Sequence, residues 1–317
     1  MRRKKKNQPS TTPARSIPNI HAEKNTSIRF IPEKRLGAGG LCEVYSAKDL
    51  VRFEYDDGCP HVAVKRLLAK YEKNPVARRL LAREFFIART LSHPGVVRVF
   101  DLHEENASLC LSMELLTGQN LYDMLGMYPS GLGTAAVPLA HQLFRTVALL
   151  HELGIVHGDI KPANLMLEKG NRLVLLDFNT AEVIPTPGHP MSHVSQGLHA
   201  RLGLSAYSVL HASPERLEGH PPAFADDVFS ACCTVIELME GIHPFARRTA
   251  LEAKNSALPP PRLAVGKTPK GKMLLRGLSF NAASRPAARE LEEVFLPQHF
   301  AARCFSALCA SLIAKGS

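Results

Sequence analysis

The 317-residue sequence contains no tryptophan, no CxxC pair and no stretch of uncharged apolar residues as long as a membrane-spanning helix needs. Its seven cysteines are odd in number and fit no zinc-binding spacing, so they indicate free, buried thiols in a reducing compartment rather than a disulfide framework. The basic start is followed by polar residues instead of an apolar run, which argues against a secretory signal. We therefore expect a cytoplasmic protein without a transmembrane segment.

Excess positive charge is scarce outside the start of the chain. Residues 1–35 contain ten Lys and Arg and two Glu, a charge of +8, so the rest of the chain accounts for only +2 of the total of +10. A folded body with so little excess charge has no basic face of the kind that binds nucleic acid specifically. Residues 1–27 are polar and contain prolines, which predicts a disordered basic arm.

One stretch carries the chemistry: residues 157–164, His-Gly-Asp-Ile-Lys-Pro-Ala-Asn, followed further along by Asp177. Asp177 ends an apolar run that predicts a buried strand, and together with Asn164 it offers oxygen ligands that suit Mg²⁺ holding the phosphates of a nucleotide. Asp159 can accept a hydroxyl proton, and Lys161 can neutralise charge on a phosphoryl group during transfer. Each fragment taken alone is also compatible with an ordinary turn or a strand-end cap.

In this order and spacing, the two segments resemble the catalytic and metal-binding loops of the protein kinases, in particular the eukaryotic-type (Hanks-type) serine/threonine kinases, including bacterial ones. The resemblance implies an α+β, bilobal fold with a small, mostly β N-lobe and a larger, mostly α C-lobe. It also implies that ATP and Mg²⁺ are used, that Asn164 and Asp177 bind the metal, and that the acceptors are Ser and Thr hydroxyls of protein substrates.

A glycine-rich hairpin near residue 40 predicts a phosphate-binding loop. Gly37, Gly39 and Gly40 allow the backbone to approach phosphates closely and point its N–H groups at them. No helix of the dinucleotide-binding type follows these glycines, which argues against a dinucleotide site. In the kinase pattern this loop covers the phosphates, and the resemblance implies that Val44 covers the base.

A strand lysine and a helical glutamate follow the glycines. Lys65 ends the alternating segment 62–65, which predicts a strand, and Glu84 lies within residues 76–91, which have the spacing of an amphipathic helix. The resemblance implies that the two side chains pair, so that the ammonium of Lys65 is positioned on the α and β phosphates.

Residues 96–100 and 109–113 predict two further strands, and the second leads into residues 114–118, which resemble the hinge between kinase lobes. The resemblance implies that the main chain at Glu114 binds adenine and that Met113 guards the back pocket. It adds three apolar residues to the nucleotide site: Ala63, Leu116 and Leu167.

The hinge also sets the predicted domain boundaries, because the pattern is mostly β before it and mostly α after it. We expect a disordered arm at 1–27, an N-lobe at 28–116, a C-lobe at 117–296 and a C-terminal amphipathic helix at 297–317. Residues 48–61 are expected to form a long surface turn. Helices are predicted at 121–125, 137–153, 226–239 and 287–295.

The segment 177–215 resembles a kinase activation segment and ends in a substrate-docking loop. There, the resemblance implies that the hydroxyl of Ser208 touches the catalytic Asp and Lys, and that a buried Arg285–Glu215 pair anchors the end of the segment. Asp227 is expected to cap the helix at 226–239 and to brace the catalytic loop from below. A metal site at His189, His193 and His199 is disfavoured, because their spacing fits no ligand frame.

Three positions depart from the kinase pattern. Gly158 replaces the usual Arg before the catalytic Asp, an Arg that in the family meets a phosphate on the activation segment, so activity is expected not to require that contact. Asn179 replaces the usual glycine after Asp177-Phe178, and Asn tolerates the positive φ that this turn would need. Cys42 stands where a third loop glycine often sits.

Two other functions remain open. The His-Gly-Asp motif also resembles small-molecule kinases of the aminoglycoside and choline type, although Lys161, Ser208, Glu215 and Arg285 favour a protein substrate. A pseudokinase scaffold is the second alternative, against which stands the complete catalytic set. Oligomeric state is left open, as is the ranking of five candidate autophosphorylation sites: Thr180, Ser192, Ser195, Ser205 and Ser208.

Overall fold

The computed structural model describes residues 28–55, 58–105, 107–184, 208–259 and 261–297. The expected arm at 1–27 lies outside the described residues, as do nearly all of the C-terminal helix at 297–317 and the three histidines of the activation segment. Within the described residues, two parts differ in character: an antiparallel sheet with one long helix comes first, and a mostly helical part follows.

The first part is built on a five-stranded antiparallel sheet in the order β1-β2-β3-β5-β4. Its elements are β1 (Phe30–Ala38), β2 (Cys42–Asp49), α1 (Leu50–Glu54), β3 (His61–Leu67), α2 (Pro75–Arg89), β4 (Val99–Glu105) and β5 (Ser108–Glu114). Helix α2 begins at a proline after the N-cap Asn74, whose side chain accepts two backbone N–H groups, and it packs its apolar face on the sheet.

Two predictions in this part are wrong. The surface turn expected at 48–61 contains α1, because the carboxylate of Asp49 accepts the N–H groups of Val51 and Arg52 and caps a short helix. The strand expected at 96–100 begins only at Val99. Val97 is buried but bonds elsewhere: its N–H donates to Leu175 O at 3.1 Å, in the second part. An apolar run alone does not distinguish these two kinds of burial.

The second part packs seven helices and short strands around one large core within the described residues. Its helices are α3 (Leu121–Met127), α4 (Val137–Glu152), α5 (Pro214–Leu217), α6 (Phe224–Glu240), α7 (Ala250–Asn255), α8 (Pro269–Gly277) and α9 (Ala288–Val294). Its strands are β6 (Gln119–Asn120), β7 (Ile155–Val156), β8 (Leu165–Glu168), β9 (Arg172–Leu175) and β10 (Glu182–Val183). Helix α4 lies at the centre, and its Phe144 packs on Phe295 with ring centroids 5.1 Å apart.

Helix α6 begins earlier than expected, which corrects the role of one residue. It starts at Phe224, and the carboxylate of Asp226 accepts the N–H of Ala223 at 2.7 Å. Asp227 therefore lies inside the first turn and does not cap the helix. The helix ends at Gly241, which takes the left-handed conformation (φ 74°) that closes a helix at little cost only for glycine.

The expected α+β, bilobal architecture is confirmed. The expectation of buried thiols holds for four of the five described cysteines, whereas Cys59 is exposed. None of the helices in the described part of the chain has the length and apolar character that a bilayer crossing requires.

Candidate active site

Strand β3 and helix α2 bring together the two charges that the sequence paired. The Nζ atom of Lys65 lies 2.7 and 2.8 Å from the carboxylate oxygens of Glu84, and 2.7 Å from Oδ1 of Asp177. Lys65 is 6% exposed and Glu84 5% exposed, so water screens this contact little. The ammonium therefore joins the sheet, the helix and the acid that follows β9.

These three groups shift each other's pKa. Burial opposes the charged form of Lys65, but Asp177 and Glu84 outweigh it and raise the pKa of the ammonium. Burial raises the pKa of Glu84 from an ordinary 4.5 to about 7, with Lys65 opposing the shift. Burial also acts to raise the pKa of Asp177, but the ammonium of Lys65 outweighs this effect and holds the pKa below its usual range. Lys65 and Asp177 are thus charged at neutral pH, whereas Glu84 titrates near it.

The sheet register places four predicted nucleotide-site residues on one face. Val44 on β2 lies opposite Lys65, and Ala63 lies opposite Met113 on β5. Ala63 and Lys65 are two residues apart on one strand, so their side chains point the same way, as do those of directly opposed residues. The side chain of Lys65 extends from this face and contacts both Glu84 on α2 and Asp177. The four residues therefore lie on the sheet face that is directed toward Asp177.

The expected hinge follows β5 directly. The carboxylate of Glu114 accepts the N–H of Arg98 at 2.8 Å and pairs with Arg172 at 2.8 Å. The side chain of Glu114 is therefore engaged in the fold, and its backbone N–H donates to Arg98 O at 2.9 Å. Leu116 is half-buried against the large core, and Leu167 is buried on β8.

The fold does not itself require the three glycines of the β1–β2 hairpin. A Cβ atom built on Gly37 or Gly40 would meet nothing within 4 Å, and one on Gly39 only Cys42 O at 3.9 Å. None of the three has a positive φ. Since neither sterics nor backbone conformation explains these glycines, a ligand that approaches the backbone closely is the remaining physical reason for them.

The catalytic loop holds the carboxylate of Asp159 with three donors. The ammonium of Lys161 lies 2.6 Å from Oδ2, the side-chain amide of Asn164 donates to the same oxygen at 3.1 Å, and the backbone N–H of Ser208 donates to Oδ1 at 2.7 Å. Ser208 thus touches the acid through its main chain, where the sequence predicted its hydroxyl. Asp159 is 8% exposed, so the carboxylate is fixed in orientation.

Asn164 and Asp177 offer a donor set that fits a divalent cation. The amide nitrogen of Asn164 also donates to Asp159 O at 2.8 Å, so the nitrogen is engaged with the loop and the amide oxygen is left as a donor atom. The side chain of Asp177 is 34% exposed although one of its oxygens binds Lys65. A carboxylate and an amide oxygen are ligands that a hard cation prefers.

The turn after β9 differs from the expectation for Asn179. The left-handed residue is Asp177 itself, with φ 61°, whereas Asn179 lies in the short 3₁₀ turn Phe178–Thr180 and has no positive φ. Phe178 is buried, and its ring meets the His157 ring edge-on at 4.8 Å. The turn therefore does not depend on a glycine substitute at 179.

Asp227 braces the catalytic loop as expected. Its carboxylate accepts the N–H groups of His157 and Gly158, each at 2.8 Å, and lies 3.2 Å from Nε2 of His151. Burial alone would raise the pKa of Asp227, but His151 and the backbone donors outweigh it and lower the pKa. Gly158 has φ +80°, and a Cβ there would lie 3.1 Å from Thr180 O. This position therefore favours glycine.

The docking loop is anchored at its end by the predicted ion pair. The guanidinium of Arg285 is fully buried, lies 2.6 Å from the Glu215 carboxylate and also donates to Ala225 O at 3.0 Å. The Arg285 pair lowers the pKa of Glu215, although burial acts in the opposite direction. The loop enters α5 through this anchor.

Several residues that position the site were not found from the sequence. His243 is held between Leu210 O (2.9 Å) and the N–H of Phe245 (3.3 Å), and His211 bonds Glu237 at 2.9 Å. The ligand atoms of His211, Glu237 and His243 lie within 4.8 Å of one another, a spacing that could suit a metal ion. Their hydrogen bonds instead attach the docking loop, which contains Leu210 and His211, to α6 and to the segment that follows it. His151 was also missed. No spacing rule marks such residues, because they bind backbone atoms or side chains that lie far away in the sequence.

Residues 30–288 match the protein kinase domain family. A probable serine/threonine-protein kinase of Corynebacterium efficiens is 33% identical over 218 residues, which cover 66% of this chain and 30% of that protein. The serine/threonine-protein kinase PknD of Mycobacterium tuberculosis is 26% identical over 257 residues (79% of this chain, 36% of PknD).

A third relative, the serine/threonine-protein kinase pkn2 of Myxococcus xanthus, is 30% identical over 290 residues, which cover 88% of this chain and 33% of that protein. The chain thus spans about a third of the length of these relatives. The family match covers the sheet, both catalytic segments and the ion pair that anchors the docking loop, in the order that the sequence predicted. The chain belongs to the protein kinase family.

Proposed function

We propose that this chain transfers the γ-phosphoryl group of ATP, with Mg²⁺, to Ser and Thr hydroxyls of protein substrates. The observation that carries the proposal is the Asp159 carboxylate, which is held by Lys161, Asn164 and the docking-loop N–H of Ser208. A carboxylate fixed between the loop that performs transfer and the loop that receives substrate is placed to accept an acceptor's proton. The similarity to named serine/threonine kinases supports the choice of acceptor.

The residues divide the work of transfer. Lys65, fixed by Glu84, and the backbone of the glycine loop bind and orient the phosphates, while Asp159 orients the acceptor hydroxyl and takes its proton. Lys161, which lies beside Asp159, stabilises the charge on the transferring group. Asn164 and Asp177 would hold Mg²⁺, which when bound neutralises phosphate charge. Catalysis of this kind relies on positioning and electrostatic stabilisation.

The docking loop supports a protein substrate over a small molecule. Ser208 contacts the catalytic acid, and Glu215, at the other end, is fixed by the buried Arg285. An anchored loop of this length beside the acceptor site suits an extended peptide. Nothing in the comparisons supports the aminoglycoside or choline type. A pseudokinase scaffold is disfavoured because the four groups that it would lack are present: Lys65 contacts Asp177, and Asn164 contacts Asp159.

Autophosphorylation and a cytoplasmic location are part of the proposal. Thr180 is the weakest of the described autophosphorylation candidates, because it is 5% exposed and its hydroxyl donates to His157 O at 2.8 Å. Ser192, Ser195 and Ser205 lie outside the described residues, so they remain candidates by sequence alone. Ser208 is partly exposed in the docking loop.

The test is phosphate transfer from γ-labelled ATP with Mg²⁺, with Asp159→Asn as the matched control and the label located by mass spectrometry. We expect label on Ser or Thr of a generic protein acceptor or of the chain itself, and its loss in the variant. Label that appears only on small molecules in a metabolite screen would contradict the protein substrate. ATP binding without any transfer would support the scaffold.

A further inference from the structure

The turn that follows Asp177 is held at both ends by two neighbouring residues of α2. At its start, the Glu84 carboxylate binds Lys65, whose ammonium in turn lies 2.7 Å from Oδ1 of Asp177. At its end, the guanidinium of Arg83 donates to Ala181 O. Both ends are thus held by charge-assisted contacts, an ion pair at the start and a guanidinium on a carbonyl at the end.

Arg83 is built into the fold rather than solvated. It is 5% exposed, and its guanidinium also lies 3.8 Å from the carboxylate of Glu182. Burial lowers the pKa of Arg83, and Glu182 partly offsets this, so the residue stays charged at neutral pH. A buried cation is costly unless it is paired and hydrogen-bonded, so its position specifies where the partner backbone lies.

The same turn is joined to the catalytic loop on its other side. The hydroxyl of Thr180 donates to His157 O at 2.8 Å, and β10, which contains Glu182, pairs with β7 just before His157. Gly158 contributes no side chain to this region. Within the described residues, the contacts that tie the turn to α2 therefore come from Arg83 and Glu84.

We propose that Arg83 is a positioning residue that docks the turn Phe178–Thr180 on α2 and so keeps Asp177 in its metal-binding position when the activation segment carries no phosphate. Glu84 alone fixes only the start of the turn, which would leave Ala181 free to move away from the helix. Arg83 acts through the backbone of Ala181 and does not touch substrate. Its kinetic consequence rests on the proposed phosphoryl transfer, whereas its effect on the turn does not.

The test compares Arg83→Met with Arg79→Met, which changes an exposed arginine one turn earlier on the same helix. Each protein is treated with a phosphatase that is then removed. We expect treated wild type and Arg79→Met to keep their kcat, and Arg83→Met to lose about tenfold or more, with the KM for protein substrate changed less than about twofold. Unchanged kcat in Arg83→Met, or loss of activity in treated wild type, would overturn the proposal.

Hydrogen exchange separates this inference from the proposed function. Amides of residues 177–183 should exchange faster in Arg83→Met than in wild type or Arg79→Met, while the melting temperature shows whether the whole domain is affected. If even wild type transfers no phosphate, the proposed function fails, and the exchange result still decides the inference. Unaltered exchange at 177–183 overturns it. Should Arg83→Met not fold, Arg83→Lys keeps the charge but loses the fork geometry, and the same outcomes apply.

Discussion

The two halves of the active site hold their charges in different ways. The Lys65–Glu84–Asp177 contacts join residues that are 19 and 112 positions apart and lie on three separate elements. The Asp159 carboxylate, in contrast, is held largely within its own loop by Lys161 and Asn164, two and five positions away. The first half forms only when α2 is in place, and the second is fixed by local structure and by the brace from Asp227.

This difference indicates where regulation can act. A shift of α2 would separate Glu84 from Lys65 and release the turn that carries Asp177, yet leave Asp159 and its brace unchanged. Under the proposed function, nucleotide binding and metal binding would be the steps that a conformational change controls, whereas proton acceptance would be preorganised.

A large loss of activity is expected from breaking the first half. Lys65→Met should lower kcat/KM by about 10²–10³-fold, since it removes the cation that faces the phosphates and leaves Glu84 unpaired. Steady-state kinetics at varied ATP concentrations measure this, and Lys70→Met serves as a control because Lys70 is exposed. Equal activity in both variants would show that Lys65 has no role in the reaction.

Breaking the anchor of the docking loop should affect stability most. Arg285→Met leaves Glu215 and Asp226 without their buried partner and should lower the free energy of unfolding by about 3 kcal/mol, the lower end of the range for buried pairs because Glu215 is partly exposed. Chemical denaturation measures the change. Arg276→Met, which removes an exposed pair with Glu290, should change it by less than about 0.5 kcal/mol. Equal losses in the two variants would contradict the anchor.

The pH dependence sharpens the comparison, because Glu84 belongs to the first half and burial raises its pKa toward neutrality. The pKa of Glu84 is raised from 4.5 to about 7, so activity should fall as the pH drops below about 7 and the neutral carboxyl releases Lys65. Stability follows the opposite sign: the contribution from this raised pKa is complete below 4.5 and is lost as the pH rises through about 7.

A pH–rate profile of wild type and Glu84→Gln checks this prediction. The variant should be slower and should lack the acidic limb near pH 7, because glutamine does not titrate. If the acidic limb persists in Glu84→Gln, another group controls it.

A smaller effect on stability is expected at Gly158 in the second half. Gly158→Ala should lower the free energy of unfolding by about 1–2 kcal/mol, because φ is +80° and the new Cβ would lie 3.1 Å from Thr180 O. Gly126→Ala is the matched control: it lies in α3 with open space around its Cβ, and should raise stability by about 0.5–1 kcal/mol. An unchanged free energy of unfolding in Gly158→Ala would show that the loop relaxes to accommodate the new Cβ atom.

The sequence predicted what depends on residue type and order. Lys65, Glu84, Asp159, Asn164 and Asp177 carry charges or amides whose chemistry is recognisable at a given spacing, and the structure brings them together. The bilobal α+β fold followed from the same order, together with the change from period-2 to period-3.6 patterns.

The parts that sequence reasoning missed are mostly contacts with the backbone. Arg83 binds Ala181 O, Ser208 binds Asp159 through its N–H, and Val97 bonds Leu175, and no side-chain identity announces these partners. The wrong cap at Asp227 arose because two adjacent aspartates offer the same chemistry, and the helix begins two residues before the pair, at Phe224. The helix α1 follows a capping residue, Asp49, and contains apolar residues. The turn predicted at 48–61 rested instead on Gly58, which lies after the helix.

If the two halves do separate work, Asp159→Asn should uncouple nucleotide binding from transfer, which is checked by measuring its ATP dissociation constant and its transfer rate, both with Mg²⁺. We expect ATP to bind as tightly as to wild type while transfer falls by about 10²–10⁴-fold. Full transfer activity in Asp159→Asn would contradict the role of Asp159, and a parallel loss of ATP binding would contradict the separation of the two halves.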